Sequence, residues 1–257
     1  MLVTGIIGYP LKTTFSPPMH NAAFEELGID GLYVQLPVNE EKLKEAVYGL
    51  SALGFKGFNV TIPYKKKVME YLDEISADAI SINAVNTVLI EDDRLTGFNT
   101  DTYGFEESLN TYKINLTNKK IFLIGAGGVA HACSYIINKK KPSSFIITDI
   151  IEEKAKKLAK IYKADIISSQ KAEKLAAESD IILNATPIDL QDKILPLMKE
   201  NSVYYDINYK FRIKEQKGVK VVNGSLMLIL QGARAFTIWT GRDAPIDIMK
   251  KAIGYQI

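Results

Sequence analysis

Short apolar runs alternate with longer stretches whose apolar residues recur every three or four positions, almost from end to end of the chain. In the first hundred residues "VTGIIGYP" (3–10) predicts a strand, Met19–Leu27 a helix, "LYVQLPV" (32–38) a strand and Glu40–Leu53 a helix. "GFNVTIPY" (57–64) predicts a third strand, followed by a helix over Lys66–Ile75. "VNTVLIEDDRLTGFN" (85–99) then reads as two strands turning at Asp92-Asp93. A helical pattern over Tyr103–Thr111 and the polar "NLTNKK" lead into "IFLIGAGGVAHACSYIINKK" (121–140), a strand, a glycine turn and a helix. Further strands are predicted at "SFIITD" (144–149), "ADIIS" (164–168), "DIILNAT" (180–186), "VYYDIN" (203–208) and "KVVNG" (220–224). "KAKKLAKIY" supplies a helix between two of them, and Ser225–Tyr255 is mostly helical in pattern.

Strand and helix in turn define an α/β protein. At 257 residues the chain exceeds the usual size of one core, so two domains are expected. The first comprises residues 1–101 with C-terminal helices from about 235 to 257, and the second, residues 102–234, is a Rossmann-like dinucleotide-binding unit. With 32 basic and 30 acidic residues the net charge is only +2, which argues against a nucleic-acid surface or a polybasic membrane anchor and for a small-molecule ligand. One cysteine, Cys133, excludes an intramolecular disulfide framework and fits a reducing cytoplasm. The two histidines have no cysteine or carboxylate cluster nearby, so no metal site is expected. The opening "MLVTGIIGYP" has no signal-peptide pattern, no apolar stretch reaches the length of a membrane span, and nothing in the pattern specifies an oligomeric state.

Two segments carry candidate chemistry. "GAGGVA", residues Gly125, Ala126, Gly127, Gly128, Val129 and Ala130, has G-x-G-x-x-A spacing directly after an apolar strand. Gly125 suits a tight turn, Gly127 a close approach to pyrophosphate, and Ala130 close helix–strand packing. Asp149 ends the next strand, 19 residues beyond Ala130, where an acidic side chain can accept from ribose hydroxyls. The second segment is "NVTIPYKKK" (59–67). Reducing a carbonyl leaves negative charge on oxygen, so a reductase needs a proton donor, and a lysine held by a carboxylate can serve. Asp101 in "GFNTDTYGF" follows a strand and precedes a helix. By spacing alone the lysines read as a solvated helical turn and Asp101 as a helix cap.

The motifs together resemble the shikimate dehydrogenase family over nearly the whole chain. "GYPLKTTFSPPMHNAAF" is similar to its substrate-binding opening, "NVTIPYK" to its catalytic-lysine strand, "NAVNT" to its asparagine turn and "GFNTD" to its catalytic-aspartate segment. "GAGGVA", "NATP", "YDINY" and "NGSLMLILQGARAFTIWTG" continue in family order. The resemblance implies Lys65 as proton donor and acceptor with Asp101 as its partner. It implies Thr14, Ser16, Thr61, Asn86, Tyr209 and Gln231, with Lys65 and Asp101, around a polyhydroxylated cyclohexene carboxylate. It also implies Thr186, Ile207, Gly224 and Met227 along the nicotinamide half of the cofactor. The expected activity is reversible reduction of 3-dehydroshikimate to shikimate in chorismate and aromatic amino-acid biosynthesis. The alternatives are a quinate or quinate/shikimate dehydrogenase acting oxidatively, or a non-catalytic nucleotide or shikimate sensor.

The chain departs from the family pattern in several places. Thr13-Thr14 stands where His-Ser is usual, Asn83 where glycine is common, "NATPIDL" lacks a following glycine, and residues 211–218 are fewer than usual. "TDI" replaces Asn-Arg-Thr after the second strand of the nucleotide domain, removing an arginine that grips a 2′-phosphate. With Asp149 weighted above Lys154, Lys156 and Lys157, the sequence predicts NAD over NADP.

Overall fold

The computed structural model describes residues 1–11, 14–169 and 172–255, so Thr13 lies outside the described residues. Two compact units emerge, Met1–Gly104 with Ile229–Ile257, and Phe105–Leu228.

The first unit contains β1 (Leu2–Gly8), α1 (Ser16–Glu26), β2 (Gly31–Pro37), α2 (Leu43–Ala52), β3 (Gly57–Val60), β4 (Glu74–Ile75), α3 (Ala77–Ile82), β5 (Thr87–Glu91) and β6 (Arg94–Phe98). Its sheet runs β2-β1-β3-β5-β6-β4, with β1 parallel to β2 and β3, and β5 antiparallel to β3 and β6. The register aligns Asn59 with Thr87 and Thr87 with Phe98, so the end of β3, the start of β5 and the end of β6 share one sheet edge. Thr61, Lys65, Asn86 and Asp101 all leave the sheet there, at the carboxyl ends of the parallel strands, where open α/β sheets bind ligands. Asp92 and Asp93 have φ of 51° and 60°, the paired left-handed geometry of a tight hairpin.

Two predicted elements come out differently. The strand read over 57–64 stops at Val60, because Pro63 has no N–H for a ladder and the Tyr64 N–H turns back to the Thr61 carbonyl at 3.0 Å. The helix read over Lys66–Ile75 is only a 3₁₀ turn, Lys67–Tyr71, because Glu74 and Ile75 pair with β6 instead. Helix α3 follows, capped by Ser76 and ended by Asn83 at φ 58°. Asparagine tolerates that left-handed position, which accounts for its standing where glycine is usual.

On the other face of this sheet His20 and Phe24 of α1 meet Phe236 and Trp239 from α9 (Ser225–Thr240), and α10 (Ile246–Ala252) packs on α1. Trp239 Nε1 donates to the Val88 carbonyl at 2.9 Å, tying α9 to β5. His20 is fully buried, lies flat against Tyr33 at 4.4 Å, and has no hydrogen-bond partner for either ring nitrogen among the described residues. Burial pushes its pKa down to about 3. The unfolded chain binds a proton near pH 6.5 that the folded chain does not bind until about pH 3. The contribution to stability is therefore complete above the unfolded value and lost as pH falls. His20→Phe keeps the ring and removes the titration. Measured by denaturant unfolding, the gap in stability between the two proteins should shift by about 2 kcal/mol between pH 7 and 5. A pH-independent gap would contradict this assignment.

The second unit contains β7 (Lys120–Ile124), α5 (Gly128–Lys139), β8 (Ser144–Thr148), α6 (Glu152–Tyr162), β9 (Asp165–Ile166), α7 (Ala172–Ala176), β10 (Ile181–Asn184), α8 (Gln191–Ile194), β11 (Ser202–Asp206) and β12 (Val219–Asn223). All six strands are parallel in the order β12-β11-β10-β7-β8-β9, the doubly wound Rossmann order with its switch point between β7 and β10. The runs read as strands are apolar because they are covered on both faces. The chain changes unit inside α4 (Thr100–Thr111) and inside α9, at 104/105 and 228/229, against the expected 101/102 and about 234/235. Continuous helices leave no loop or composition change to mark such a boundary. No helix among the described residues is long and apolar enough to cross a membrane.

Candidate active site and dinucleotide cradle

Asp101 sits in the first turn of α4 without serving as its cap. That part falls to Asn99, whose Oδ1 accepts the Asp101 N–H at 3.1 Å. The Asp101 carboxylate is left for other partners: Lys65 Nζ lies 2.6 Å from Oδ2, and Asn86 Nδ2 donates to Oδ1 at 2.9 Å. Lys65 is presented by the turn after β3, which is pinned on both sides. The Tyr64 ring is buried with its hydroxyl donating to the Val38 carbonyl at 2.5 Å, and the Lys65 carbonyl accepts from the Val85 N–H at 2.7 Å. The neighbouring lysines are different in kind. Lys66 is exposed, and Lys67 pairs with Glu70 at the surface. Of these three lysines Lys65 alone is largely enclosed, with 20% of its side chain exposed against 10% for Asp101.

Gln231 joins this group from α9, its Oε1 facing Asn86 Nδ2 at 3.5 Å and Thr100 Oγ1 at 3.4 Å. Ser16 is buried at the start of α1, and Thr14 Oγ1 accepts its N–H at 3.2 Å while lying 3.3 Å from its hydroxyl. Thr61 is half-buried on the turn that leads to Lys65. Lys65, Asp101, Asn86 and Gln231 thus form one hydrogen-bonded cluster, with Thr14, Ser16 and Thr61 on other segments of the same unit. Tyr209 belongs to the second unit, where burial raises its phenol pKa. Sequence reading missed Asn59, Thr87 and Thr100, which surround Asn86 and are buried. The available signal was Asn59 itself, a polar residue between Phe58 and Val60 inside a fully buried strand.

In the second unit Gly125 takes φ 105°, and its N–H bonds the Thr148 carbonyl at 2.7 Å. A Cβ there would meet the Ala185 carbonyl at 3.0 Å, so the chain passes between β7 and β10 only as glycine. Ala130 is fully buried in the core beneath the turn. Gly127 and Gly128 are exposed, a Cβ on either would meet nothing within 4 Å, and α5 has no side-chain cap. Open space before uncapped amides at a helix start fits a pyrophosphate. Beside it, Thr186 donates to Asn184 Oδ1 at 2.7 Å, and Asn184 Nδ2 in turn reaches the buried Asp206 at 3.2 Å. Burial pushes the Asp206 carboxyl up to about 6, against the Asn208 N–H and the Asn184 amide, which favour its charged form. A Cβ on Gly224 would lie 1.9 Å from the Ile207 carbonyl oxygen, and Met227 packs into the core of this unit, as does Ile207 in part.

A Rossmann unit with an open glycine cradle, together with a unit that presents an enclosed lysine–carboxylate pair at its strand ends, defines a dinucleotide-dependent oxidoreductase. Family models match residues 6–88 as "Shikimate dehydrogenase substrate binding domain", 107–204 as "Shikimate / quinate 5-dehydrogenase" and 224–253 as "Shikimate 5'-dehydrogenase C-terminal domain". A shikimate dehydrogenase (NADP(+)) from Carboxydothermus hydrogenoformans is 41% identical, covering 98% of this chain and 96% of its own. A crystal structure of shikimate dehydrogenase in complex with NADP+ superposes with a TM-score of 0.88 at 38% identity, covering 98% of this chain and 94% of that one. The Thermus thermophilus enzyme in complex with NADP(H) and shikimate gives 0.88 at 32%, covering 98% of each chain. The chain belongs to the shikimate dehydrogenase family.

The cofactor expectation is corrected by these relatives, which are named for NADP(+) or bound to it. The structure supplies the reason that Asp149 misled. Its carboxylate already accepts two backbone N–H groups, Ala126 on Oδ2 at 2.7 Å and Ile151 on Oδ1 at 2.8 Å. It clamps the glycine turn through both carboxylate oxygens, while Lys154 and Lys157 stand exposed on α6 just beyond and Lys156 pairs with Glu152 and Glu153.

Proposed function

We propose that this chain catalyses the reversible reduction of 3-dehydroshikimate to shikimate with NADPH, a step in chorismate and aromatic amino-acid biosynthesis. The observation that carries the catalytic assignment is the 2.6 Å contact between Lys65 Nζ and Asp101 Oδ2, with Asn86 on the other carboxylate oxygen. NADP(H), when bound, supplies or accepts the hydride. Gly125 to Ala130 and the start of α5 hold its pyrophosphate, the lysines of α6 its 2′-phosphate, and Thr186, Ile207, Gly224 and Met227 line its nicotinamide half. Lys65 gives its proton to the carbonyl oxygen in reduction and recovers it in oxidation. Asp101 keeps the ammonium aimed at that oxygen and compensates its charge. Asn86, Thr61 and Gln231 hold the ring hydroxyls, and Thr14 and Ser16 the carboxylate, all with groups that both donate and accept. The reading assigns the protein to the cytoplasm, in keeping with a chain that has one cysteine.

The substrate side is tested by turnover of shikimate against quinate. Quinate carries an extra hydroxyl on the carboxylate-bearing carbon, which must share the corner formed by Thr14 and Ser16. Shikimate should show the higher kcat/KM, and Thr14→Ser, which removes one methyl group, should narrow the gap by about 1 kcal/mol. Equal or better turnover of quinate by the unmodified protein would overturn the assignment of that corner.

A further inference from the structure

We propose that Tyr33 is a positioning residue for this reaction: its phenol anchors the amide of Asn59 and, through Thr87 and Asn86, steadies the Asp101 carboxylate that holds Lys65. The inference rests on the reading of Lys65 and Asp101 as the proton-transferring pair.

Two backbone groups fix the orientation of both amides in the chain. Asn59 Nδ2 faces the Asn86 carbonyl at 3.1 Å, and a carbonyl can only accept. The Asn59 Oδ1 is thereby turned toward Tyr33, whose hydroxyl donates to it at 2.7 Å. At the other end Asn86 Oδ1 faces the Thr100 N–H at 2.7 Å, and an N–H can only donate, so Asn86 Nδ2 is the atom directed at Asp101 Oδ1. Between them Asn59 Nδ2 donates to Thr87 Oγ1 at 3.0 Å, and the Thr87 hydroxyl donates to Asn86 Oδ1 at 3.1 Å, with Thr100 Oγ1 beside it at 3.2 Å. Donors therefore run one way, from Tyr33 through Asn59, Thr87 and Asn86 to Asp101, where Lys65 donates from the opposite side.

Tyr33 suits the head of such a chain. Burial raises its pKa, against the hydroxyl of Ser16 beside it, so the phenol keeps the proton it must donate. Its ring is stacked on the neutral His20 and tilted against Trp239, and its backbone is gripped by both ends of the Asn21 amide, at 2.7 and 3.1 Å. Asn59, Thr87 and Asn86 are all buried, so water does not substitute for a missing donor. Without the phenol proton the Asn59 oxygen is a buried acceptor with no donor, and turning the amide over would only set that oxygen against the Asn86 carbonyl, so Asn59 shifts and loosens its hold on the Asn86 backbone and on Thr87.

The test is a double-mutant cycle read as kcat and KM. Tyr33→Phe, which keeps the ring packing, should lower kcat about 10-fold with shikimate KM within about twofold, while in an Asp101→Asn background it should change kcat by less than about twofold. Thr87→Val cuts the same chain without touching Tyr33 and should give the same loss and the same masking. It carries the test if Tyr33→Phe does not fold. A large loss from Asp101→Asn beside unchanged kcat in Tyr33→Phe and Thr87→Val, or equal factors in both backgrounds, would overturn the positioning role alone. Full activity of Asp101→Asn would overturn the reading of the pair itself.

Discussion

Replacing Lys65 by Met lowers kcat for shikimate oxidation about 10²-fold or more and changes the KM for shikimate far less. The substitution keeps a flexible stem of similar length and removes the ammonium assigned to carry the proton to and from the reacting oxygen. Asn86 and Gln231 hold their own hydrogen bonds to Thr100 and Asp101, so much of the surface expected around the ring hydroxyls survives. An effect on kcat with little on KM is the pattern of a group that acts in the transition state. Lys66→Met, one residue along and exposed, is the control and should leave kcat unchanged. Near-normal kcat in the Lys65 variant would remove the basis for the dyad.

The second large effect comes from adding one methyl group at two glycines of the nucleotide unit, with opposite outcomes. Gly224→Ala places a Cβ 1.9 Å from the Ile207 carbonyl oxygen and 2.7 Å from its carbon. Both atoms are backbone, so the start of α9 and the end of β11 must separate. Overpacking of this kind costs about 3 kcal/mol, a fall in Tm of about 5–10 °C for a chain of this size. The displaced segment also carries the Asn208 N–H that holds Asp206, so the network to Asn184 and Thr186 is disturbed as well. Gly127 has φ −80° and ψ −173°, extended backbone open to any residue, and a Cβ there meets nothing within 4 Å. Gly127→Ala should leave Tm within about 2 °C, yet raise the KM for NADP+ about 10-fold, because the methyl group fills the space through which the pyrophosphate reaches the helix amides. A thermal melt and a cofactor titration of both variants check the pair. A Gly127→Ala protein with unchanged NADP+ KM would contradict the cradle.

What could be read from the sequence was whatever has a local cause. Asp92-Asp93 between alternating apolar residues announced its hairpin, and "GAGGVA" after an apolar strand announced a glycine turn at the switch point of a Rossmann sheet. The dyad was legible only through the resemblance, since Lys65 and Asp101 are 36 residues apart and meet because the register of β3, β5 and β6 brings their ends to one edge. The same non-local cause hid Tyr33 and Thr87, which look like ordinary strand residues until the sheet stacks them in line with Asn59, the one member whose polarity in an apolar strand was a signal. Glu74 and Ile75 were read as helix because a pairing with β6 leaves no trace in their own sequence. Asp149 was placed correctly at its strand end, but the two amides that its carboxylate accepts come from the glycine turn and from Ile151, a contact that gives it a structural part its position in the sequence does not reveal.

Shikimate oxidation through Lys65 is tested most directly by the initial rate of NADPH formation by the purified protein with shikimate and NADP+, run beside the folded Lys65→Met variant. Turnover should be saturable, in the common enzyme range of about 1–10³ s⁻¹, and should fall at least about 10²-fold in the variant. Absence of NADPH formation by the folded, unmodified protein, or equal rates in the two proteins, would contradict it.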